Sequence, residues 1–143
     1  MIPIDRLVRE GSIHPFRTTR EEIAKVIGIA KRDLAEAEGI TSMSLDWRYA
    51  IAYDAVRQAC RAYMFHLGYR PASSAAHKAT FEFMQNAVDE PLKKAIDYFD
   101  RVRKKRHHVI YEESGSVTEK ETQQLIKKAK EFIVYVEGRI GSI

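Results

Sequence analysis

Residues 44–68, SLDWRYAIAYDAVRQACRAYMFHLG, contain the longest amphipathic repeat of the chain and decide its fold class. Apolar residues recur there every three or four positions, which is the period of an α-helix with one buried face. Ser44 suits the start of this helix because its hydroxyl can accept a hydrogen bond from a free backbone N–H. Gly68 suits its end. The stretch therefore predicts a long helix with one face in the protein core.

Four further segments have the same period, and no stretch convincingly predicts a strand. Threonine precedes glutamate by three residues at two helix starts, first at Thr18 or Thr19 and later at Thr118, which is a capping-box signature. The predicted helices lie near residues 18–38, 44–68, 77–89, 91–113 and 118–140. Short connections between amphipathic helices favour antiparallel neighbours. We therefore predict an all-α single domain, residues 1–143, built as an antiparallel up-and-down bundle of four to five helices.

The composition excludes several classes of protein. Hydrophobic residues make up 45% and charged residues 31% of the 143 positions, which is typical of a globular domain. No apolar run approaches the roughly 18 residues of a membrane span, and the N-terminus lacks the apolar core of a signal peptide. Cys60 is the only cysteine, and no zinc-ligand spacing occurs. We expect a cytoplasmic protein with no membrane segment, no metal site and no cofactor.

The segment of residues 101–111, RVRKKRHHVIY, has the densest charge in the chain. Five arginines or lysines and two of the five histidines lie within eight of its residues. When the helix is projected at about 100° per residue, Arg103 and Arg106 fall inside the apolar stripe, between Phe99 and Ile110. These two arginines are therefore predicted to point inward. The net charge of the whole chain, +4, does not by itself require a nucleic-acid partner.

A guanidinium within an apolar stripe is costly unless it is paired or meets a polar ligand. One interpretation of Arg103 and Arg106 is a structural ion pair with Asp54, Glu112 or Glu113. The other is a site that binds an anion, for which arginine is well suited because its fork matches two oxygens of a phosphate.

The remaining basic side chains of this segment are distributed around the helix. His107 borders the apolar stripe, and His108 faces outward. Lys104 and Lys105 point away from the stripe, as is typical of a solvated face. His77, at the start of the third predicted helix, is a weaker candidate for a site residue.

Three strings in the chain resemble those of HEPN domains, which are small helical bundles found with nucleotidyltransferases in toxin–antitoxin pairs and other prokaryotic conflict systems. The resemblance covers the bundle from about Thr18 to Ile140. The strings are YAIAYDAVRQACRAYMFHLGYRP, SSAAHKATFEFM and FDRVRKKRHHVIYEES.

The third string matches the position of the family's signature, an arginine followed by four to six residues and then histidine. In catalytic members these two residues act in metal-independent RNA cleavage, across a cleft between two subunits. The pairs that satisfy the spacing are Arg101 with His107, Arg101 with His108, and Arg103 with His108. In another register Arg106 is the signature arginine, and Tyr111 then replaces the histidine. The helical projection favours this register, in which tyrosine is a poorer general base than histidine near neutral pH.

The resemblance implies a nucleotide- or RNA-binding module, within a toxin–antitoxin or other defence system. The expected nucleic-acid-binding residues are Arg103, Arg106, Lys105 and His108. One alternative is a metal-independent ribonuclease toxin, whose catalytic residues would be Arg106, His107, Arg103 and Tyr111. Another alternative is a structural dimerisation domain. The expected partners are a second copy of the chain, RNA or a nucleotide, and a nucleotidyltransferase antitoxin.

Overall fold

A computed structural model describes residues 1–73 and 76–141. Residues 74–75, within the string SSAAHKATFEFM, and residues 142–143 of the predicted domain lie outside the described residues. The elements in chain order are helix α1 Ile4–Arg9, strand β1 Ile13–Pro15, α2 Arg20–Gly39, α3 Leu45–Leu67, β2 Tyr69–Pro71, α4 His77–Ala87, α5 Glu90–Tyr111 and α6 Glu119–Ile140.

Helices α2 to α6 lie where the apolar periodicity predicts them. The described residues form six helices, however, so the predicted number of four to five is not confirmed. The expectation of no strand is wrong, since β1 and β2 form a two-stranded sheet. Helix α1 has 6 residues and each strand has 3. Segments of this length are too short to show a period, which explains why the sequence did not reveal them.

Side-chain caps define the starts of three long helices. The side chains of Thr19 and Ser44 each accept a hydrogen bond from the backbone N–H three residues further on, at 3.1 and 3.3 Å. Thr118 and Glu121 form a reciprocal capping box at the start of α6. Gly68 ends α3 at φ 93°, a left-handed conformation that glycine adopts without a steric penalty. The polar residues identified in the sequence therefore determine where these helices begin and end.

Helix α3 is the central element and packs against α2, α4, α5 and α6. The rings of Phe99 on α5 and Phe132 on α6 meet edge to face, with centroids 5.3 Å apart. Closer to the loop between these helices, Lys105 lies 3.8 Å from Glu121. These two contacts show that α5 and α6 are antiparallel. These contacts with α6, together with the packing of α5 on α3, hold the basic segment of α5 against the core.

The small sheet attaches the N-terminal segment to the helical core. Strands β1 and β2 pair antiparallel, with Ile13 opposite Pro71. Ile13 and Leu7 are buried in the common core. The Asn86 side chain also donates a hydrogen bond to the backbone oxygen of Ile2, at 2.6 Å. The residues before α2 are thus part of the packed domain.

Candidate functional site: an arginine cluster on α3 and α5

Helix α5 presents both predicted arginines on its inner side. Its buried residues are Ile96, Phe99, Val102 and Val109, and Arg103 and Arg106 are half-buried among them. Burying a cation among apolar side chains costs free energy unless a partner compensates. The position of each guanidinium therefore decides whether the site is structural or binds a ligand.

The main contact of the Arg106 side chain is with the face of an aromatic ring. Its guanidinium carbon lies 5.7 Å from the centroid of the Tyr53 ring, within the range of a cation–π interaction. Its Nε is buried and has no hydrogen-bond partner among the described residues. An unsatisfied buried donor is uncommon in native proteins. Its terminal nitrogens make no hydrogen bond within those residues and are not fully buried.

Arg103 makes a local ion pair. Its Nε donates to the Asp100 carboxylate at 2.8 Å, one turn earlier on α5. The interpretation of a structural ion pair therefore holds for Arg103, but the partner is Asp100 and not the candidates Asp54, Glu112 or Glu113. These three carboxylates contact other side chains. Asp54 accepts a hydrogen bond from Arg57 on its own helix, and Glu112 and Glu113 both contact His108. The helical projection did not identify Asp100, although its i,i+3 spacing is a recognised ion-pair geometry.

Tyr53 is the centre of the site. Its side chain is fully buried on α3, and its hydroxyl lies 2.9 Å from Nδ1 of His77, at the start of α4. Burial raises the pKa of Tyr53, and the positive charges of Arg57, Arg106 and Arg103 oppose that shift. Arg57 follows Tyr53 by one turn on α3, and Arg103 comes one turn before Arg106, which contacts the Tyr53 ring, on α5. We name these three arginines the arginine cluster.

Tyr53 and Arg57 are not among the site residues predicted from the sequence. Both lie in the repeat that was assigned to the core, at i,i+4 spacing, which places them on neighbouring positions of one helix face. Arg57 donates two hydrogen bonds to Asp54, at 3.0 and 2.9 Å. An arginine one turn after a buried tyrosine is the signal that was available. This spacing indicates a site only when α5 is known to pack against the same face of α3.

His107 and Tyr111 form a separate, exposed pair. Their ring centroids are 4.8 Å apart, and 67% of the Tyr111 surface is exposed. No hydrogen bond or ion pair within the described part of the chain joins either residue to Arg103 or Arg106. The structure therefore brings the two predicted arginines to one surface, while these two residues lie along the exposed side of α5.

Lys105 and His108, the other predicted nucleic-acid-binding residues, have protein partners. Lys105 donates to the backbone oxygen of Ser116 at 3.2 Å and lies near the Glu121 carboxylate. His108 contacts Glu112 at 2.7 Å and Glu113 at 3.1 Å through its two ring nitrogens. The hydrogen bonds to Glu112 and Glu113 raise the pKa of His108 above its ordinary value of 6.5.

We expect the end of α5 to depend on pH through His108. A pKa that is higher in the folded than in the unfolded protein contributes stability below about pH 6.5, and this contribution is lost as the pH rises through the folded-state pKa. An NMR titration of the ring of His108 should give a value above 6.5, and the Glu112→Gln, Glu113→Gln double variant should lower it. The distant Glu10→Gln change is the control. If the double variant leaves the titration unchanged, the two ion pairs do not form in solution.

The fold and the site define a helical domain with a half-buried cationic cluster. A family model described as HEPN domain matches residues 23–139. The chain therefore belongs to the HEPN domain family, as its strings indicated. No curated protein and no solved structure matches it significantly. Membership supports, in general terms, a module related to nucleotides or RNA.

Within residues 1–73 and 76–141, no helix is long and apolar enough to cross a membrane. Over the same residues, no group of three or more His, Cys, Asp or Glu side chains is arranged to hold a metal ion.

Proposed function

We propose that this chain is an RNA-binding HEPN module that holds backbone phosphate at the arginine cluster. The observation that carries the proposal is the state of Arg106, which has a buried, unpartnered Nε, accessible terminal nitrogens and no carboxylate partner among the described residues. Asp100 and Asp54 neutralise Arg103 and Arg57. The cluster therefore retains one uncompensated positive charge, at the position where a phosphate can accept from a guanidinium fork.

The neighbouring ion pairs also support binding. The Asp100 contact holds Arg103 and the Asp54 contact holds Arg57, so both guanidinium groups are oriented before a ligand arrives. Ordering side chains in advance lowers the entropic cost of binding. A half-buried site is also screened less by salt and water than an exposed one, which strengthens each charged contact.

Arg106→Ala should weaken binding of labelled single-stranded RNA by roughly tenfold or more, the effect of losing a charged hydrogen bond. It should also reduce the slope of log affinity against log salt by about 1. Arg32→Ala is the matched control, since it removes the same charge from an exposed side chain on α2, which does not pack against α5. Unlabelled mononucleotide, added as a competitor, distinguishes RNA from nucleotide recognition. Equal affinity of the Arg106 and Arg32 variants would overturn the proposal.

A second candidate function is metal-independent RNA cleavage. The observation that favours it is the exposed ring of His107, directly after Arg106, which is open to an attacking 2′-hydroxyl. In the same assay, with and without EDTA, cleavage should leave a 2′,3′-cyclic phosphate. His107→Ala should then lower the rate by roughly 10²–10⁴-fold, the contribution typical of a general acid or base. Intact RNA after incubation with the wild-type protein would leave binding as the function.

We also propose that the face containing Arg103 and Arg106 is used in a homodimer. Trp47 on α3 is 59% exposed. It has the same angular position as Asp54 seven residues later, on the side of α3 that carries Arg57. Aromatic residues and arginine are enriched in interfaces. Light scattering should show a dimer that Trp47→Glu weakens and Val134→Glu, at an equally exposed position on α6, does not. A monomeric wild-type protein at tens of micromolar would contradict it.

We also propose that the chain acts within a toxin–antitoxin system. It requires a nucleotidyltransferase partner, which co-expression with such a protein and co-purification would test. Loss of the complex in the Arg106→Ala protein would place the partner at the arginine cluster.

A further inference from the structure

A pocket of about 480 Å³ opens where the end of α2, the start of α3 and the first half of α6 meet. It is lined by residues that include Thr41, Arg48, Gln123 and Ile126, and none of its residues belongs to α5 or to the arginine cluster. Volumes of roughly 300–1,000 Å³ are typical of small-molecule sites. The pocket is therefore large enough to hold a small organic ligand.

Arg48 is the buried charged residue of this pocket. Its side chain is only 6% exposed, and its Nε donates to the backbone oxygen of Ala37 at 2.8 Å. The nearest carboxylate, Glu119, is 3.7 Å from a terminal nitrogen, which is too far for a hydrogen bond. A guanidinium has five N–H donors, and the terminal ones have no hydrogen-bond partner among the described residues. Arg48 lines the pocket, and its terminal nitrogens are not fully buried.

The charges around the pocket indicate which ligand would balance them. Three cationic side chains, Arg48, Lys127 and Lys130, face two carboxylates, Glu38 and Glu119. Lys130 is paired with Glu38, whereas Lys127 has no ion pair within the described residues. One positive charge is therefore in excess. A monoanion neutralises this charge, whereas a dianion would leave the pocket with a net negative charge.

We propose that this pocket binds a small monocarboxylate. The two carboxylate oxygens would accept from the terminal nitrogens of Arg48 in the bidentate geometry that the guanidinium fork favours. Lys127 would add a second positive charge at the mouth, and Ile126 would contact the apolar body of the ligand. The site is independent of the proposed RNA binding, because it shares no residue with it.

The test uses the full chain and three probes: benzoate, its neutral isostere benzamide, and inorganic phosphate. Benzoate at millimolar concentration should shift the backbone NMR signals of Ala37, Thr41 and Arg48, and benzamide should not. Arg48→Lys keeps the charge but lacks the fork, so it should raise the benzoate Kd by roughly tenfold. Lys127→Ala, a change at an exposed position, should raise it less. Arg32→Ala should leave it unchanged.

Three results would overturn the proposal. The first is the absence of any benzoate shift in the wild-type protein. The second is an equal response to benzamide, since the carboxylate would then not be recognised. The third is tighter binding of phosphate than of benzoate, because the charge balance of the pocket would then not select a monoanion. Should Arg48→Lys fail to fold, the comparison of Lys127→Ala with Arg32→Ala decides the question.

Discussion

Replacing Phe99 by alanine is expected to lower the free energy of unfolding by about 3–5 kcal/mol, the usual cost of deleting a buried phenyl ring. Phe99 is fully buried, and its ring meets that of Phe132 edge to face. Aromatic pairs of this geometry contribute beyond their buried area. Because these rings join α5 to α6, the substitution also removes a contact that helps to keep Arg103 and Arg106 of α5 in place.

The matched control for Phe99→Ala is Tyr111→Ala, which truncates an exposed aromatic side chain of the same helix. Surface changes of this kind usually alter stability by no more than about 0.5 kcal/mol. Urea unfolding monitored by circular dichroism measures both variants. If Phe99→Ala costs no more than Tyr111→Ala, α5 is not packed in solution as the structure describes.

Tyr53 is expected to separate folding from RNA binding when two substitutions are compared. Tyr53→Ala should cost about 3–5 kcal/mol, because it leaves a cavity in the fully buried centre of α3. It also removes the ring beneath Arg106, so RNA affinity should fall to the level of the Arg106→Ala protein. Tyr53→Phe keeps the ring and removes the hydroxyl, which costs only about 1 kcal/mol for the lost hydrogen bond to His77.

RNA affinity should therefore be close to that of the wild type in Tyr53→Phe. Unfolding experiments and RNA titrations of both variants, at a temperature where each is folded, provide the comparison. A Tyr53→Phe protein that binds RNA as poorly as Tyr53→Ala would show that the hydroxyl and His77, rather than the aromatic face, hold Arg106 in position.

The long helices could be predicted because their signals are local. Ser44 and Thr118 cap helices through atoms three residues away, and the apolar period of α3 extends over its whole length. The sheet of β1 and β2 could not be predicted in this way. Its strands are far apart in sequence, and Ile13 lies opposite Pro71, with the whole of α2 and α3 between them in the chain.

In the candidate site, too, the local features could be predicted and the contacts between distant segments could not. The helical projection placed Arg106 on the inner side of α5, because this depends only on angular position along one helix. It could not identify Tyr53 as a neighbour of Arg106, since Tyr53 lies on another helix and meets Arg106 through packing. Nor could it show that Glu112 and Glu113 already contact His108. These contacts depend on how the chain turns after Tyr111.

The strand β1 has a practical consequence for experiments on this chain. The family match begins at residue 23, yet Leu7 and Ile13 are buried in the common core. A fragment cut at the family boundary would expose the apolar surface that these side chains cover, and it would leave β2 with an unpaired edge. Such an edge readily pairs with other chains. Recombinant protein should therefore start at Met1, since a shortened form would tend to aggregate for reasons unrelated to its function.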